Sequence, residues 1–218
     1  TKGRVLRRLL FAAPTSAGAG QQFLRQFDLA TYGAAERSLN RKLEDFVADA
    51  HDALLALRHK EQWGSPAGIW PDGLDLLDAP ADPEKAARGL DIQTMRLAAT
   101  EATRARQIEK LESFLRDAAR IKSPADMVNS SAAKFWDERL LPLYKDLATG
   151  VATLKVNADI PLTRPVCRAF LELTRSLVKI DLEGRLQSTA GVYGIISRYE
   201  TLYDELIRAS GLFTFTDI

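Results

Sequence analysis

The sequence predicts an all-α fold, an irregular bundle of long amphipathic helices with one long Pro/Gly/Asp-rich loop. Three observations lead there. Apolar residues recur at three- and four-residue steps over most of the 218 residues, which is the period of a helix face. Helix starts of the form cap-then-proline stand at Asp82-Pro83 and Ser123-Pro124. No alternating strand pattern is visible before residues 212–218.

The elements follow in chain order. Val5, Leu6, Leu9 and Leu10 alternate with Arg4, Arg7 and Arg8, giving a short amphipathic start that Pro14 and Ser16–Gly20 interrupt. Phe23 and Phe27 lead into Leu39, Leu43, Phe46, Val47, Ala50, Leu54 and Leu57, one apolar stripe suited to a core-facing helix. From Glu61 to Glu84 the texture changes: prolines and glycines cluster, with six acidic residues and no basic one. That reads as a surface loop, with Trp63 and Trp70 as its anchors.

Helical pattern resumes after Pro83 and is strong from Asp91 to Ile121, with Ala98, Ala102, Ala105, Ile108, Leu111, Leu115 and Ala118 inward. Ser123-Pro124 restarts it, and Phe135, Trp136, Leu140, Leu143 and Leu147 carry it on until Asn157–Pro161 breaks it. Thr163 then caps the longest stretch. Val166, Phe170, Leu173, Leu177 and Ile180 form one register, and Val192, Ile195, Tyr199, Leu202 and Leu206 a second. The phase changes where Gly184, Gly191 and Gly194 lie, which predicts a kink or a close backbone crossing. Gly211 is placed to end the helix. By composition the chain divides into 1–60, 61–84 and 85–218, together one domain.

Composition excludes several classes. Hydrophobic residues make up 46% and charged ones 27%, with 30 Lys+Arg against 29 Asp+Glu, which is ordinary globular usage. Collagen-like, broadly disordered and strongly basic tail-like chains are therefore out. A single cysteine, Cys167, rules out an intramolecular disulfide. No apolar run approaches the roughly 20 residues of a membrane span. The start resembles a signal peptide only superficially, because its apolar part is confined to Leu9–Ala13. The chain is read as cytoplasmic, with no membrane partner. Its Thr1 start and the apolar ending Phe213–Ile218 suggest a piece of a longer protein.

Motifs for catalysis are sparse. Gly-Lys-Ser/Thr does not occur, so there is no phosphate-cradling loop. His51 and His59 lack the carboxylates of a metal site and are read as surface residues. Cys167, between Val166 and Phe170, reads as a small core residue. Ser131-Ala-Ala-Lys134 and Ser176-Leu-Val-Lys179 match the Ser-x-x-Lys pattern of penicillin-recognising enzymes. The companion Ser-Asp-Asn and Lys-Thr-Gly motifs are missing, so both matches read as chance. Asp137-Glu138 and Asp204-Glu205 sit mid-helix as solvated faces. No catalytic residue, metal ligand or cofactor of this chain emerges.

The basic features carry more. Arg4, Arg7 and Arg8 share one helix face, and Arg104, Arg106 and Lys110 lie along the 91–121 helix, interleaved with Glu101, Glu109 and Glu112. These six cations are the candidate DNA-binding residues. They would grip phosphate, weakly and salt-dependently, without reading sequence.

One stretch resembles a known family. Tyr203-Asp-Glu-Leu-Ile-Arg-Ala-Ser-Gly-Leu-Phe-Thr-Phe-Thr-Asp-Ile218 is similar to the end of a long helix in UvrD/Rep-like superfamily 1 DNA helicases, especially RecB and AddA. There a Tyr-x-x-Leu-Lys-type turn precedes Gly-x-Leu-Asp-Phe-Asp-Asp-Leu and the strand bearing the DExx box. Tyr203, Leu206, Gly211, Leu212, Phe213, Phe215, Asp217 and Ile218 fill the corresponding places. Thr214 and Thr216 stand where that family often has Asp, and Ile207 where it has Lys.

The resemblance implies an excised helical 1B subdomain, beside the DNA path of an ATP-dependent helicase or exonuclease of double-strand-break repair. ATP and Mg would then be bound by neighbouring ATPase domains of the parent chain, outside these residues. The alternative is a helical protein–protein interaction module or adaptor with no nucleic-acid role.

Overall fold

The computed structural model describes Val5, Arg8, Leu9, Arg25, Ala50 and residues 53–57, 59–78, 81–90, 104–128, 130–156 and 159–211. Helix dominates, as expected, and the described residues add one small two-stranded sheet. The chain forms two compact units. One joins 1–73 to 185–218; the other is 74–184. Both boundaries fall inside segments that composition treats as continuous.

In the 74–184 unit the short helices α2 (Asp75–Asp78) and α3 (Pro83–Arg88) precede α4 (Arg104–Ala118). Then come α5 (Pro124–Val128) and α6 (Ser131–Phe135), which continues as a π-helical turn over Trp136–Leu140. After α7 (Tyr144–Thr149), strands β1 (Ala152–Lys155) and β2 (Asp159–Leu162) lead into α8 (Arg164–Leu206), whose first half belongs here.

Local chemistry sets these starts. Asp82 Oδ1 accepts from the Lys85 amide at 2.8 Å with Pro83 as the first helical residue. Ser123 and Asp126 form a reciprocal capping box: Asp126 Oδ2 accepts from the Ser123 amide at 2.8 Å, and Ser123 Oγ from the Asp126 amide at 3.4 Å. Hydrogen bonds from the Lys122 amide and the Ser123 hydroxyl hold the Asp126 carboxyl below the usual carboxylate range.

The hairpin corrects the expectation that no strand precedes residue 212. Ala152 pairs with Leu162 and Lys155 with Asp159, antiparallel. Ala152, Leu154, Ile160 and Leu162 point inward while Thr153, Lys155, Asp159 and Pro161 point out. The period-two pattern is there, but each strand is only four residues long. Pro161, which looks like a breaker, is tolerated because both strands are edges.

The core of this unit packs Val166, Phe170, Leu173, Leu177 and Ile180 of α8 against Leu111, Phe114, Leu115 and Ala118 of α4, with Trp136 and Leu140 alongside. Phe114 and Phe135 stack with ring centroids 4.4 Å apart. The first α8 register and the inward face of α4 from Leu111 onward are as expected. Ala98 and Ala102 lie outside the described residues, as does the side chain of Ala105.

The other unit is built on the second α8 register. Ile195, Ile196, Tyr199 and Tyr203 are buried with Val5, Leu9, Leu54, Trp63 and Ile207. The loop expected at 61–84 is partly ordered here into a 3-10 turn at Lys60–Gln62 and a one-turn helix, α1 (Pro66–Ile69). Trp63 is an anchor, as predicted: it is buried, its indole N–H donates to the Leu57 carbonyl at 2.6 Å, and Tyr193 lies 5.9 Å away. Leu57 departs from its expected stripe and is 42% exposed, lying past the helix end.

The helical assignment of α8 is unbroken through Gly184, Gly191 and Gly194. A close backbone approach does fall in this interval, and Gly64 of the loop makes it. At φ +73° this glycine lies against the α8 backbone, where a Cβ would overlap the Leu186 carbonyl oxygen.

Two outcomes follow. Gly64→Ala meets both the positive φ and that overlap, so it should destabilise the protein by more than the about 1 kcal/mol of an ordinary loop substitution; urea unfolding measures it. Asp126→Asn should lower stability at neutral pH. Because the folded carboxyl ionises below its unfolded value near 4, the gap between wild type and variant should close as pH falls below about 4. A gap independent of pH would remove the charge from the explanation.

Candidate functional sites

The basic residues are distributed over both units. Arg8 is exposed next to buried Val5 and Leu9, with all three helical, so the amphipathic start has the orientation its spacing predicts. Arg4 and Arg7 lie outside the described residues. Lys110 is exposed on α4 beside exposed Glu109. Arg104 and Arg106 belong to the first turn of α4, and their side chains lie outside the described set. Arg8 and Lys110 belong to different units.

Other candidates resolve into structural roles. His59 is exposed, and its amide donates to Gln62 Oε1 at 3.3 Å; His51 lies outside the described residues. Ser131 donates to Asp117 at 2.5 Å, away from any nucleophile geometry. Asp204 and Glu205 are exposed, and Arg208 binds both Glu200 (2.6 Å) and Asp204 while its guanidinium lies 5.2 Å from the Tyr203 ring centre. This cluster fixes the end of α8. Among the described residues no group of His, Cys, Asp and Glu could hold a metal ion, and no helix is long and apolar enough to cross a membrane.

Cys167 is fully buried in the 74–184 core, with its thiol 3.8 Å from the Leu162 carbonyl. Burial pushes the thiol pKa up, because the thiolate would lose its hydration. A core role follows, not a nucleophilic one.

The same unit holds a cleft that the sequence does not reveal. It encloses about 530 Å³ between the Asp75–Ala86 segment and the Glu172–Lys179 face of α8. Asp75, Asp82, Lys85, Glu172, Arg175 and Lys179 line it, with Ser176 at 9% exposure. Lys179 Nζ donates to the Leu77 carbonyl at 2.6 Å and lies 3.7 Å from Glu183. That hydrogen bond joins residues 102 positions apart and fastens one wall to the other. Ser176 and Lys179, which read as a chance motif, thus share a lining. Lys179 is engaged by a carbonyl and a carboxylate, so it is not poised as a general base.

No family model matches the chain, and no curated protein or solved structure matches it either. The functional reading therefore rests on the residues themselves.

The buried thiol gives a direct test. In the folded protein at neutral pH, Cys167 should resist a thiol-specific reagent and react only on unfolding. Its elevated pKa also makes stability fall as pH rises above about 8.5, where the unfolded chain releases the thiol proton before the folded one. Fast modification of native protein would show the thiol to be reachable.

Proposed function

We propose that this chain is a helical accessory subdomain of an ATP-dependent superfamily 1 DNA helicase or exonuclease of double-strand-break repair. It contacts the DNA backbone beside ATPase domains that it does not itself contain. The observation that carries the reading is the end of α8. The helix runs to Leu206, a 3-10 turn follows at Arg208–Ser210, and the chain leaves through Gly211 at φ +71°.

Tyr203 and Ile207 are buried beneath that turn and Arg208 is clamped over Tyr203. This helix-then-glycine order supports the resemblance carried by Tyr203, Leu206 and Gly211, and the left-handed backbone explains why glycine stands there. Leu212–Ile218, the rest of the motif, lie outside the described residues.

In this reading the protein's part is passive. Exposed cations such as Arg8 and Lys110 track phosphates while the ATPase domains move. A mostly helical, charge-balanced surface would then supply affinity only where cations gather.

The second reading, a helical interaction module, draws on Leu141 and Tyr144, 39% and 36% exposed, and on Val151 at 77%. Apolar side chains left in water suit a protein partner.

Fluorescence anisotropy with a forked duplex separates the two. Binding should be measurable at about 50 mM salt and fall steeply by about 200 mM. Combined Arg4→Ala, Arg7→Ala and Arg8→Ala should weaken it and flatten the salt slope by about one unit for each phosphate no longer neutralised. No binding at low salt would favour the interaction module. The parent gene offers an independent check: its continuation past Ile218 should reach an apolar strand ending in Asp-Glu-x-Gln.

A further inference from the structure

The cleft of the 74–184 unit has a lining of mixed charge that argues for a small ligand of its own. Six of its nine lining residues are charged, in equal numbers of each sign. Two are committed to the frame: Asp82 caps α3, and Lys179 holds Leu77 and Glu183. Among the described residues, the other four, Asp75, Glu172, Lys85 and Arg175, form no ion pair.

Unpaired charges of both signs around one cavity define what it can hold. A polyanion would meet repulsion from Asp75 and Glu172, and a simple cation would meet it from Lys85 and Arg175. A molecule with an anionic and a cationic group satisfies both sets. The volume of about 530 Å³ falls within the range of small-molecule sites. The Lys179–Leu77 tie and the Asp82 cap hold the walls in place before binding, which lowers the ordering cost.

We propose that this cleft binds a small zwitterion of the amino-acid or short-peptide class. Its carboxylate lies toward Arg175, Lys85 and the Ser176 hydroxyl, where a guanidinium offers two parallel donors. Its ammonium lies toward Asp75 and Glu172. The binding is independent of the helicase reading.

The test uses the full chain, labelled with nitrogen-15, and titrates glycine, glycylglycine and triglycine to about 10 mM, well above a millimolar dissociation constant. At least one should give saturable shifts at the Ala86 and Ser176 amides. Acetylating its amino end or amidating its carboxyl end should weaken binding about tenfold or more, and inorganic phosphate should not compete. Arg175→Ala and Asp75→Asn change exposed side chains, so both should keep the native spectrum and lose binding about tenfold. The proposal fails if none of the three compounds saturates, if the blocked forms bind as tightly, or if both variants bind as wild type does.

Discussion

Among the described residues, both buried clusters are built on α8. Phe170, Leu173 and Leu177 fill the core of the 74–184 unit, while Ile195, Ile196 and Tyr199 fill the core of the other. The helix contributes a different apolar register to each. Its stripe changes phase between Ile180 and Val192, and the division between units falls at Gly184–Arg185, within that interval. Removing a large buried side chain on either side, such as Phe170, costs about 3–5 kcal/mol in comparable cores. The Gly64 backbone lies directly on the Leu186–Ala190 stretch, so the loop after Trp63 depends on the same helix.

Electrostatics adds little to that framework and more to function. The near-neutral total of +1 leaves no strong net field to draw in a polyanion, so the proposed DNA contact would have to draw on local groups of cations. Exposed pairs one helical turn apart, such as Arg88–Glu84 and Lys134–Glu138, each contribute about 0.3–0.5 kcal/mol. The Arg208 cluster is different in kind. It engages two carboxylates and an aromatic face at once, and so sets the direction in which the chain leaves α8. In a helicase subdomain that exit would be the connection to the ATPase core.

Much was legible from residue order alone. The helical class, the caps at Asp82 and Ser123, the Trp63 anchor, the two registers of α8 and the burial of Cys167 all follow from local spacing and side-chain chemistry. The β1–β2 hairpin was not legible, because four-residue strands carry too few alternations and Pro161 argues against one. A close backbone approach was expected where the glycines of α8 lie, and one falls there, on Leu186–Ala190; its partner, Gly64 of the loop, was not legible.

The sequence by itself determined that the fold would be helical, which faces of its long helices would be apolar, and where the helices capped by Asp82 and Ser123 would begin. Those are short-range properties, set by neighbours within a few positions. Only the tertiary structure decided that α8 divides between two cores, and that Asp75, Lys85, Glu172 and Arg175 meet around one cleft. Residues far apart in the chain come together there because helix packing and the Lys179–Leu77 hydrogen bond hold them, and no local pattern encodes that.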